Sequence, residues 1–151
     1  MAGASHHDNA GLWAEQQVGR LLERRGWRCL AQRWRCRFGE LDLLVGKESF
    51  PQARLLMVEV KARRRCGPDG WGVRAFGPAK RRRLARSFDC WLMEHPSWAS
   101  ASLEVVLALV PLPPHRCVVR WIRIDELLDG GDAISSSESV ISVRSGRCEH
   151  W

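Results

Sequence analysis

At 151 residues with 45% hydrophobic content, the chain can build one packed core and is too short for two ordinary domains. A net charge of +7 and a pI near 9.7 suit a polyanionic partner, nucleic acid first and an acidic membrane surface second. No stretch approaches the roughly 20 apolar residues of a membrane span, and Met1 to Asn9 lacks the basic-then-apolar pattern of an export signal, so a cytoplasmic protein with no membrane partner is expected.

Residues 1–8, with the adjacent His6 and His7, read as a flexible N-terminus. Asn9 can cap a helix whose apolar positions Ala14, Val18, Leu21 and Leu22 recur at helical spacing, with Gly26 as its stop. Glu15 falls on or beside that stripe, where an unpaired carboxylate is costly. Either a metal or a lysine holds it, or it lies at the stripe's edge and reaches water. Trp27 to Trp34 predicts a strand with Trp27, Cys29 and Ala31 on one face and Arg28 and Arg33 on the polar side.

Glu40 to Val45 and Leu55 to Ala62 predict a hairpin, turned around Pro51. Arg63 to Pro78 holds four glycines and two prolines, which predicts a long irregular loop. Trp71 and Phe76 within it either stack on unpaired bases or pin the loop to the core. Leu84, Phe88, Trp91 and Leu92 mark an amphipathic helix from Ala79 to His95, stopped by Pro96. Leu103 to Val110 and Val118 to Ile124 predict two more strands, and Asp125 to Leu128 a short helix. The Ser- and Gly-rich residues 130–151 predict a disordered tail, which leaves residues 9–129 as the domain. Six cysteines without a CxxC pair indicate reduced thiols, neither a zinc knuckle nor a disulfide framework.

In the strand Leu55 to Ala62, side chains alternate, so Glu59 and Lys61 share a face with Leu55 and Met57. The short hairpin turn brings Asp42 beside Glu59. Two carboxylates and a lysine together are what hydrolysis of a phosphodiester with a divalent ion requires: hard oxygen donors for Mg²⁺, and an amine to position or deprotonate water. A cross-strand salt bridge on a half-exposed sheet would use the same residues. Seventeen of the 24 basic residues lie in Arg20 to Arg37 and Lys61 to Arg86, bracketing the acidic pair. A solvated helix face with a charged loop is the alternative reading of that distribution.

These residues resemble the YraN-like family of the PD-(D/E)xK nuclease superfamily. The resemblance covers about Gly11 to Leu128 and rests on Gly39-Glu40-Leu41-Asp42-Leu43, similar to the family's GEIDL, and Val58-Glu59-Val60-Lys61-Ala62-Arg63, similar to its VEVKxR. It implies an α/β fold with a restriction-endonuclease-like αβββαβ core, a mixed central sheet flanked by helices. It also implies a site similar to that of archaeal Holliday-junction resolvases, with Glu15, Asp42, Glu59 and Lys61 catalytic. Asp42, Glu59 and Glu15 would hold Mg²⁺ or Mn²⁺, and Arg33, Arg35, Arg63, Lys80 and Arg81 would contact nucleic acid. The expected function is a metal-dependent endonuclease acting on DNA, branched or otherwise structured. The alternative is a non-catalytic nucleic-acid-binding protein on the same fold. A homodimer would suit a four-way junction, by analogy. Ser102-Leu103-Glu104 departs from the family's usual Arg-Phe-Asp, and Gln32 from its usual Asn.

Overall fold

A computed structural model describes residues 6–64, 76–113, 118–124 and 140–141. The elements run α1 (His6–Glu23), β1 (Arg28–Cys36), β2 (Gly39–Lys47), β3 (Arg54–Arg63), α2 (Pro78–Glu94), a 3-10 turn (Pro96–Trp98), β4 (Ser102–Pro111), β5 (Arg120–Ile124) and β6 (Val140–Ile141). The αβββαβ order expected from the sequence is therefore present. The six strands form one sheet in sequence order, with only β3 and β4 parallel and the other neighbours antiparallel. A parallel pair needs a crossover, and α2 supplies it.

The helices cover opposite faces. Ala14, Val18 and Leu22 of α1 pack with Leu43, Val45, Val58 and Val106, whereas Leu84, Phe88 and Trp91 of α2 pack with Leu41, Leu44, Met57 and Leu107. With both faces covered, β3 is buried from Leu55 through Val60, the continuous apolar run expected of a central strand. The side chains of β3 divide between the layers as the alternation predicts. Phe76 is buried in the α2 layer, so of its two expected roles it takes the one in the core. Trp71 and the short helix expected at Asp125 to Leu128 lie outside the described residues.

Several boundaries differ from the sequence reading. Helix α1 starts at His6, ahead of the Asn9 expected to cap it, so Asn9 lies within the helix. Trp27 is buried before β1 begins, and a bulge at Leu30 leaves Cys29 exposed while Ala31 joins the α2 layer. The expected shared face of Trp27, Cys29 and Ala31 is thus broken by one inserted residue. Val140 and Ile141, inside the predicted tail, pair with β5.

Two glycines fix turns and packing. Gly26 adopts φ +82° after α1, as its role of helix stop requires. A Cβ on Gly46 would lie 2.6 Å from the Trp98 ring and 2.7 Å from Leu30, so the bare backbone there is what lets the 3-10 turn pack on the sheet. Among the described residues, no helix is long and apolar enough to cross a membrane.

Candidate functional site

The site forms where the β2–β3 ladder opens. Pairing runs from Lys47 opposite Arg54 to Leu43 opposite Val58 and then stops, although the next register positions would be Asp42 and Glu59. Val60 N–H loses a backbone acceptor at this point, and Asp42 Oδ2 takes its place at 2.9 Å. Leu41 faces the α2 layer and Leu43 the α1 layer, so the alternation of β2 slips by one at Asp42. The carboxylate is thereby turned into the gap between the strands.

Strand β1 breaks at the same level. Arg33 lies between the pairs Gln32–Leu43 and Trp34–Leu41, directly across from Asp42, and adopts φ +47°. A left-handed conformation is uncommon for a residue with a side chain and costs about 1–3 kcal/mol. It swings Arg33 towards α1, where Nε donates to Glu15 Oε2 at 2.7 Å and Nη2 to Oε1 at 3.3 Å. This fork matches the carboxylate plane and compensates a Glu15 that is only 6% exposed. The sequence dilemma over Glu15 resolves this way: it sits on the buried stripe and its partner is an arginine.

Glu59 is buried on β3, on the face towards α2. Its Oε1 accepts from Lys80 Nζ, in the first turn of α2, and lies 3.5 Å from Lys61 Nζ. Asp42, Glu59 and Lys61 are thus brought together as the spacing predicts. Burial, then the neighbouring charge of Glu59, pushes the Asp42 carboxyl up to about 7 against the Val60 hydrogen bond, and a hydrogen bond with Glu59 and the charge of Glu15 add to the rise. Asp42 resists ionisation beside Glu59, and a cation in the gap would relieve the repulsion.

Among the described residues, no three His, Cys, Asp or Glu side chains meet as a metal-holding group, and Glu15 is held by Arg33. Arg33 and Lys80, expected to contact nucleic acid, each pair with a buried carboxylate. Sequence reasoning missed both pairings. Lys80 carried a signal, being one of only three lysines against 21 arginines, as Lys61 is. Of the other basic residues expected at nucleic acid, Arg35 Nε donates to Glu40 at the exposed end of β1, and Arg81 Nε donates to the Phe76 carbonyl at 3.1 Å. Arg63 follows Glu59 and Lys61 on the same face of β3. Exposed Arg82, Arg83 and Arg86 continue the basic surface along α2. Glu104, which departs from the resembled motif, holds Arg54 across the parallel β3–β4 pair at 2.5 Å.

Sequence comparison matches residues 14–122 to uncharacterised protein family UPF0102, a span that includes every residue of this site. The chain is 56% identical over 123 residues to a UPF0102 protein of Prochlorococcus marinus (strain MIT 9303), covering 81% of this chain and 94% of that one. It is 46% identical over 117 residues to one from Parasynechococcus marenigrum (strain WH8102), covering 78% and 82%. A more distant relative in Acaryochloris marina (strain MBIC 11017) is 34% identical over 113 residues, covering 70% and 64%.

Proposed function

The chain belongs to the UPF0102 family, and from that premise and the geometry of the site we propose that it is a metal-dependent endonuclease acting on DNA, with branched or otherwise structured DNA as its substrate. One observation carries the reading: the half-buried Asp42 and the buried Glu59 face a common gap at the end of a broken ladder, flanked by Lys61 and Lys80. A sheet stabilised only by cross-strand ion pairs has no need of a second carboxyl that repels the first.

The donor set fits Mg²⁺ or Mn²⁺, which take hard oxygens and retain water. Asp42 and Glu59 would hold the ion, and Glu15 is withdrawn from the set by Arg33. Such an ion, when bound, polarises a phosphoryl oxygen and lowers the pKa of its water. The chain's own groups do the rest. Lys61, about a third exposed, is the amine able to orient the attacking water and to offset charge on the phosphate. Lys80 fixes the Glu59 carboxylate from the opposite element. The arginines of α2 and the end of β3 supply phosphate contacts that hold the strand in register with the site.

A second reading is a nucleic-acid-binding protein that does not cut. The occupied ion pairs Glu15–Arg33 and Glu59–Lys80 favour it, since they satisfy two of the three acids without metal. The deciding experiment incubates the protein with linear, nicked, flapped and four-way-junction DNA in Mg²⁺, Mn²⁺ or EDTA, beside Glu59→Ala and Lys61→Ala. Metal-dependent cleavage of a structured substrate, lost in both variants, is expected. Tight binding without cleavage in any metal establishes the second reading. Sedimentation of the DNA complex tests a homodimer on a four-way junction.

A further inference from the structure

Away from the carboxylates, the end of β1 meets α2 through sulfur. The thiol of Cys36, the last residue of β1, donates to the hydroxyl of buried Ser87 at 3.5 Å, and the Phe38 amide donates to Cys36 Sγ at 3.4 Å. Cys90 lies three residues beyond Ser87, on the same face of α2, which places it beside the contact between Cys36 and Ser87. Both cysteines are partly exposed. Two guanidiniums lie over the ring of Phe38, whose amide meets Cys36: Arg37 at 4.6 Å and Arg86 at 5.7 Å from its centroid.

We propose that Cys36 and Cys90 form a redox-active pair that a hydroperoxide oxidises to an intramolecular disulfide tying the end of β1 to α2. The inference does not depend on nuclease activity. The pair has an internal asymmetry suited to this chemistry. Burial opposes ionisation of Cys36, but hydrogen bonds that the Ser87 hydroxyl, the Phe38 and Gly39 amides and Cys90 can donate to its thiolate bring its thiol below the ordinary value. Burial, then the charge and hydrogen bond of Cys36, raise the thiol of Cys90. Cys36 is therefore the nucleophile and Cys90 the resolving thiol. Exposed Cys29 is an internal comparison: burial and the charge of Glu23 raise its thiol, so it reacts more slowly.

The reaction balances with hydrogen peroxide as oxidant. The Cys36 thiolate attacks one peroxide oxygen, the O–O bond breaks, Cys36 becomes a sulfenic acid, and the departing hydroxide takes up a proton as water. Cys90 Sγ then attacks the Cys36 sulfur; the S–S bond forms, the S–O bond breaks, and the hydroxyl leaves as a second water with the Cys90 proton. Two thiols lose two electrons and one peroxide gains them, and a dithiol reductant reverses the change.

The test treats the reduced, full-length wild-type protein with graded hydrogen peroxide and maps non-reduced proteolytic digests by mass spectrometry. The expected result is a Cys36–Cys90 linked peptide, two hydrogens lighter than the separate peptides, formed before Cys29 is oxidised and released by dithiothreitol. Cys90→Ser should accumulate a sulfenic acid at Cys36 that dimedone traps, and Cys36→Ser should leave Cys90 unreactive. Survival of both thiols at peroxide levels that oxidise Cys29, or linkage of either one to a different cysteine, overturns the proposal. The map is read on the wild-type protein, so it stands whether or not a variant folds.

Discussion

Lys80 in α2 and Glu59 in β3 share an ion pair at a carboxylate oxygen that Lys61 approaches from its own strand at 3.5 Å. The lysine from the crossover helix thus fixes that helix to the central strand. Lys80→Met should destabilise the protein by about 1–3 kcal/mol, the worth of a charge-assisted bond to a buried group that keeps a second partner. Lys61→Met should cost less stability, because its contact is longer and more exposed, yet abolish cleavage if the proposed function holds. Urea unfolding of the two variants checks the order; a larger stability loss for Lys61→Met contradicts it.

Asp42 makes stability depend on pH in a direction opposite to that of an ordinary paired aspartate. Its carboxyl ionises at 3.8 in the unfolded chain and at about 7 in the fold. The protonated form is the one the fold favours. Its contribution is intact below about pH 3.8 and is lost as pH rises to about 7. Asp42→Asn retains an acceptor for Val60 N–H and should gain up to about 4 kcal/mol over wild type above about pH 7, with no gain below about pH 4. Chemical unfolding across that range reads the difference.

The same titration governs metal affinity, since an ion must displace the proton. Mn²⁺ should raise the melting temperature at about pH 7.5 and lose that effect at about pH 5. Thermal shift with Mn²⁺ against EDTA measures it, and Glu59→Gln should abolish the shift seen at about pH 7.5.

Arg33 combines a favourable ion pair with an unfavourable backbone. Arg33→Ala removes the hydrogen bonds to Glu15 and keeps φ +47°, whereas Arg33→Gly removes them and relieves the conformation. The glycine variant should be the more stable of the two by about 1 kcal/mol. Equal midpoints in urea would show that β1 relaxes once the arginine is gone.

Neutralising α2 should weaken DNA binding in a salt-sensitive way. Arg82→Ser and Arg83→Ser together should lower affinity across unrelated sequences and reduce the slope of log K against log salt by about 0.9 for each phosphate that is no longer neutralised. Titrations of fluorescent DNA at several salt concentrations give that slope.

Much of the site was legible in the sequence because it lies on one hairpin. The period of β3 alone puts Glu59 and Lys61 together, and a short turn returns Asp42 to their level. What the sequence hid depends on irregularity and distance. The slip at Asp42 and the positive φ of Arg33 follow no periodic pattern, and they decide that Glu15 meets an arginine. The Lys80 partner lies across a parallel crossover, where separation along the chain gives no register to count. Gly46 reads as an ordinary strand residue until Trp98 packs on it.

Among the described residues, strand β1 is also an edge of the sheet, with an outer row of backbone groups that no described strand pairs. The bulge at Leu30 and the turned backbone at Arg33 break that row at two places, and exposed Arg28 and Arg35 add charge along it. The distortion that gives Glu15 its partner therefore also makes the edge a poor template for a foreign strand. A sequence that straightened β1 would lose a buried ion pair and acquire a route to aggregation in the same step.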